Sequence, residues 1–144
     1  MWQFASSFFY LGKLPFAPGS WGSLGALILW IFLPLSHALQ LTIIIILFSV
    51  GVISSKKIAE AMNDQDPSEV VIDEATGMGI ALFMLPHSIV IYSLAFILFR
   101  IFDIFKPSFI DRIQILPGGW GIMLDDVLAG IFTWLICQGL LTIL

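Results

Sequence analysis

The chain has 144 residues, 59% of them hydrophobic and 11% charged, with a mean hydropathy of +1.03 and a formal net charge of −4. That mix lies far from a soluble domain's and reads as an integral membrane protein, while six scattered Lys and Arg make no basic stripe for nucleic acid. The single cysteine, Cys137, excludes an internal disulfide, and within its apolar run it reads as an inert buried thiol rather than a nucleophile.

No linker or charge run divides the chain, so residues 1–144 are read as one domain. Met1 to Leu11 carries Trp2, Phe4, Phe8, Phe9 and Tyr10 but no basic residue, which predicts an interfacial aromatic segment rather than a cleaved secretory signal. Lys13 to Ser23 is a Gly/Pro/Ser-rich loop running into an apolar helix over Trp21 to Leu35. Free N–H groups at such a helix start favour a phosphate, although the loop lacks the Gly-Lys-Ser/Thr ending of a nucleotide-binding loop and a tightly packed cap explains it as well. A second helix, Ala38 to Ser54, follows a turn at Leu35-Ser36-His37.

The run from Gly77 to Phe99 is long enough for one span, yet Pro86-His87 interrupts it. One span would put Asp73-Glu74 and the Arg100, Asp103, Lys106 group on opposite membrane faces. A hairpin turning at Pro86-His87, with arms of roughly 18 Å at about 1.5 Å per residue, returns both to one level. The hairpin also gathers Lys13, Lys56, Lys57, Arg100, Lys106 and Arg112 on one face, whereas a single span divides them evenly, so the positive-inside rule selects the hairpin. The last helix, Asp126 to Leu144, leaves from that level. The expected architecture is all-α: a small polytopic membrane helical bundle of about five inserted helices. Its basic face is cytoplasmic, and His37 and His87 are turn residues on the far side.

Ionisable groups beside hydrocarbon are costly unless paired, hydrated or metal-bound, so the charged clusters carry the functional signal. Asp73-Glu74 precede Gly77 and Gly79 and suit either a capped helix start or a ligand pair. Arg100, Asp103 and Lys106 recur every third residue before Pro107, as an interfacial ion-pair array or as a phosphate and metal site. Asp125-Asp126 follow the Gly118-Gly119-Trp120-Gly121 loop, where one Asp can cap the helix and the second is spare. Five converging carboxylates repel one another without a cation. Oxygen ligands without nearby His or Cys select Mg²⁺ over Zn²⁺, and Mg²⁺ completes its shell with water and substrate phosphate, which points to phosphoryl chemistry.

Four stretches, LGKLPFAPGSWGSL (11–24), DPSEVVIDEATGM (66–78), FRIFDIFKP (99–107) and GGWGIMLDDVLAGI (118–131), closely resemble the phosphatidylglycerophosphatase A family in order and spacing. Ser20 stands where members commonly have Thr, which keeps the hydroxyl. The resemblance implies a Mg²⁺-dependent phosphatase of the bacterial inner membrane that removes the terminal phosphate of phosphatidylglycerophosphate, giving phosphatidylglycerol. The lipid bilayer and that lipid are then its partners.

Absence of a Cys-x₅-Arg loop or a suitably placed His leaves Mg²⁺-activated water attacking phosphorus in line as the expected mechanism, with a carboxylate nucleophile as the alternative. The expected metal set is Asp73, Glu74, Asp103, Asp125 and Asp126. Asp73, Glu74, Asp103 and Asp126 are the catalytic candidates, and Lys13, Ser20, Arg100 and Lys106 hold the phosphate or substrate. Another lipid-phosphate phosphatase would use the same residues. A cation-coupled transport subunit is disfavoured because the middles of the apolar runs at 24–33, 41–48, 89–98 and 127–136 carry no ionisable group.

Overall fold

A computed structural model describes residues 1–144, with the side chains at positions 109, 111 and 114 excepted. The described residues form helices and connecting turns, with no strand: α1 (Trp2–Ser6), α2 (Pro18–Phe32), α3 (His37–Met62), α4 (Ile72–Leu82), α5 (Ile89–Phe105), α6 (Ser108–Asp111) and α7 (Gly119–Ile143). Pro18 opens α2, where its missing N–H costs nothing, and the Ser36 side chain accepts a hydrogen bond from the Leu39 N–H to cap α3.

Two helices, α3 and α7, are long and apolar enough to cross a bilayer, and only 28% of each apolar window is buried inside the bundle. The remainder, including Leu41, Ile45, Ile46, Ile53, Leu135 and Leu140, faces outward. A continuous apolar surface of that kind suits lipid rather than water.

The chain does break at the expected hairpin, between Leu82 and Ile89, but the two arms are unequal. At about 1.5 Å per residue α4 is roughly 16 Å long and α5 roughly 26 Å. The short arm sits at the centre, with nine of its eleven residues buried, packed against α2, α3, α5 and α7. A backbone break inside a buried region needs partners for its freed polar groups. The carbonyl of Phe83 accepts from the Trp134 indole N–H at 2.8 Å, and the Met84 N–H donates to Gln40 Oε1 at 3.3 Å.

Glycines set how closely the central helices approach. A Cβ on Gly77 would lie 2.5 Å from the Asp126 carbonyl oxygen, and one on Gly130 would collide with the Gly77 backbone. The α4–α7 crossing is therefore a backbone-to-backbone contact that brings Asp73 and Asp126 into one site.

The aromatic N-terminus is docked rather than merely interfacial. Ser6, Ser7 and Phe8 are buried, the Ser6 carbonyl accepts from the Val71 N–H at 2.9 Å, and Lys57 lies over the Trp2 ring. Phe4, Phe9 and Tyr10 remain exposed.

Candidate active site

Asp73 and Glu74 occupy the first turn of α4, whose start carries no side-chain cap. Asp103 projects from the last turn of α5, and Lys106 sits just past its end in a left-handed conformation. Helix α7 begins at Gly119, seven residues earlier than expected, so Asp125 and Asp126 lie inside the helix and cap nothing. Asp73, Asp103, Asp125 and Asp126 are all buried.

These side chains converge. Ligand oxygens of Asp73, Asp125 and Asp126 lie within 4.8 Å of one another, as do those of Glu74, Asp103 and Asp126. Asp73 lies beside Glu74, and Asp126 beside Asp103, close enough for their charges to interact. Two cations border the group. The Arg100 guanidinium pairs with Asp103 Oδ2, and the Lys106 ammonium donates to Asp125 Oδ2 at 2.6 Å. Burial works against the Lys106 ammonium, but the hydrogen bond and charge of Asp125 outweigh it and raise its pKa.

Several polar atoms here are enclosed without a hydrogen-bond partner: Asp73 Oδ1, Glu74 Oε2, Asp126 Oδ2 and Arg100 Nε. Buried unpaired oxygens are costly, and like-charged carboxylates at this range repel. Both costs vanish around a hard divalent cation, so the all-oxygen donor set fits Mg²⁺. The unused Arg100 N–H is a donor available to an anion.

Glycine 19 explains the role of the 11–24 motif in the fold. A Cβ there would collide with Glu74 Oε1 and lie 3.1 Å from Arg100 Nη1, so the start of α2 forms one wall of the site. Ser20, half-buried, stands in the same turn. Lys13 is engaged elsewhere, with Gln3 Oε1 at 3.4 Å, Glu69 at 4.0 Å and the Tyr10 ring. Asp66, in the loop before α4, lies within electrostatic reach of Lys106 and Asp103. The sequence reading did not single it out, although it belongs to the same 66–78 stretch as Asp73.

A buried cluster of carboxylates and cations within an apolar helical bundle fits the class of enzymes that handle a charged group. A family model described as Phosphatidylglycerophosphatase A matches residues 4–141, and the chain belongs to that family. It is 40% identical over 133 residues to a Bacteroides thetaiotaomicron protein named "Putative phosphatidylinositol-3-phosphatase", covering 87% of this chain and 84% of that protein. It is 34% identical over 137 residues to the phosphatidylglycerophosphatase A of Escherichia coli K12, covering 92% and 78% respectively. With the Haemophilus influenzae phosphatidylglycerophosphatase A it shares 38% over 120 residues, covering 81% and 74%. No solved structure matches. The chain is accordingly a phosphatase.

Proposed function

We propose that this phosphatase hydrolyses the terminal phosphate of phosphatidylglycerophosphate in a Mg²⁺-dependent reaction at the cytoplasmic face of the bacterial inner membrane, releasing phosphatidylglycerol and phosphate. The observation that carries the reading is the meeting of Asp73, Glu74, Asp103, Asp125 and Asp126 beside Arg100 and Lys106, in a chain of this family.

Mg²⁺ held by these carboxylates would supply charge neutralisation and an acidified water. The chain's own groups do the rest. The free N–H of Arg100 and the turn at Gly19-Ser20 bind and orient the phosphate, with Lys106 adding positive charge. A carboxylate of the cluster takes a proton from the attacking water as its oxygen bonds to phosphorus. The bond from phosphorus to the glycerol oxygen breaks, and that oxygen takes a proton from solvent water and leaves as the alcohol, while the carboxylate returns its proton to solvent.

Orientation follows from charge. Lys57 over the Trp2 ring, Lys13 beside Glu69, Lys106 on Asp125 and Arg100 on Asp103 gather these cations at the carboxylate end. By the positive-inside rule that end is cytoplasmic. Helices α2, α4 and α5 join α3 and α7 as the inserted elements of a five-helix bundle.

The name of the Bacteroides relative supports a second reading, a phosphatase with a wider or different lipid headgroup preference. Phosphate release by detergent-purified protein from phosphatidylglycerophosphate, phosphatidylinositol 3-phosphate and phosphatidic acid, each with Mg²⁺ and with EDTA, separates the two. Mg²⁺-dependent release from the first alone is the expected result. Faster release from the phosphoinositide would establish the second reading instead.

A further inference from the structure

We infer that the carboxylate cluster holds two divalent cations bridged by Asp126, an assignment that rests on the metal-dependent reading above and deepens it. The five carboxylates form two overlapping sets, Asp73 with Asp125 and Asp126, and Glu74 with Asp103 and Asp126. Asp126 is common to both. Each set has its own cation alongside, Lys106 on Asp125 and Arg100 on Asp103.

Each set also presents an unused ligand atom. Asp73 and Asp126 are only 6% and 2% exposed, yet Asp73 Oδ1 and Asp126 Oδ2 have no hydrogen-bond partner. Glu74 Oε2 is enclosed and unpaired in the same way. Asp125 joins the first set through the geometry alone, with its Oδ2 accepting from Lys106 and its Oδ1 from the Asp126 N–H.

One Mg²⁺ matches this set poorly. The ion is octahedral and retains several waters, binding through few carboxylates rather than an all-protein cage. Five carboxylates around it would leave almost no position for water or phosphate. Divided between two ions with Asp126 shared, the same ligands leave open positions on both.

Charge points the same way. Five carboxylates against Arg100 and Lys106 leave three negative charges. A single divalent ion keeps the site negative, whereas two make it positive, the sign that a phosphate monoester dianion requires. Paired ions of this kind lie about 3.5–4 Å apart and flank the attacking and leaving oxygens of an in-line displacement.

Equilibrium dialysis of the detergent-purified protein against Mn²⁺, with metal counted per chain, is expected to give two ions, and EPR to show a spin-coupled pair. Glu74→Gln and Asp103→Asn are each expected to reduce the count to one and abolish the coupling, because the Asp73, Asp125, Asp126 set is left whole. One ion per wild-type chain, or two without coupling, would overturn the bridged pair while leaving the metal-dependent reading standing. No bound Mn²⁺ in folded wild-type protein would overturn both.

Discussion

Nζ of Lys106 lies 2.6 Å from Oδ2 of Asp125, tying the end of α5 to the second turn of α7. Removing the cation takes the lysine's positive charge away from a buried carboxylate that stands beside four others. Lys106→Ala is therefore expected to cost roughly 2–3 kcal/mol of stability, below the ~3–5 kcal/mol of a fully buried pair because the lysine is partly exposed. Thermal unfolding in detergent, compared with wild type under identical lipid and metal conditions, measures it. An unchanged midpoint would show that the pair contributes nothing.

Asp126 stands in both carboxylate sets, so its loss touches every ligand group. Asp126→Asn keeps the size of the side chain and removes its charge. Turnover on phosphatidylglycerophosphate is expected to fall by at least about 100-fold, the scale of losing one electrostatic stabiliser of the transition state. Membrane insertion and elution as a folded species should persist. Retained activity would remove Asp126 from the chemistry.

Metal binding to the folded state alone stabilises it by mass action, by about 2.7 kcal/mol at a free concentration 100 times the dissociation constant. Mg²⁺ is accordingly expected to raise the thermal midpoint of the wild type, and EDTA to abolish both that rise and phosphate release, with activity returning on Mg²⁺ addition. The Asp126→Asn protein should show little or no rise. Full activity in EDTA would contradict the metal-dependent reading.

Backbone contact between α4 and α7 leaves no room for a methyl group at Gly130, whereas Gly139, further along α7, has open space around it. Gly130→Ala is expected to destabilise by roughly 1–3 kcal/mol through overpacking and to reduce activity by separating Asp73 from Asp126. Gly139→Ala should be tolerated in both respects. Equal behaviour of the two variants in melts and assays would refute the crossing as the element that builds the site.

Gly19 separates the start of α2 from Glu74 and Arg100. Gly19→Ala should push those side chains aside and lower kcat/KM for the lipid by about 10-fold or more, as a misplacement of this size can. Little change in the melting curve is expected, because Gly19 is only half-buried. Wild-type kinetics would mean that this turn is not a wall of the site.

Much of this was legible in the sequence because composition and charge act locally. A chain this apolar must expose its side chains to lipid, and its few carboxylates stand out against that background. Pro86 read correctly as a break, and the recurrence of cations at one level selected the hairpin over a single span. The charged pairs at 73–74 and 125–126 and the group at 100–106 were all identifiable as candidates.

Tertiary structure decided what local pattern leaves open. Which carboxylate meets which follows from the Gly77–Gly130 crossing, and the close contact depends on two residues from distant helices both lacking a side chain. Gln40 and Trp134 look like ordinary members of apolar helices, and only the fold reveals that they satisfy the broken backbone at Met84 and Phe83. Asp125 and Asp126 looked like a helix start because glycines precede them. The helix instead begins at Gly119, where the missing Cβ lets the backbone lie against Val52. Composition fixes the solvent a chain needs and the charges it keeps; pairing among those charges is set by helix packing, which depends on residues far apart in the chain.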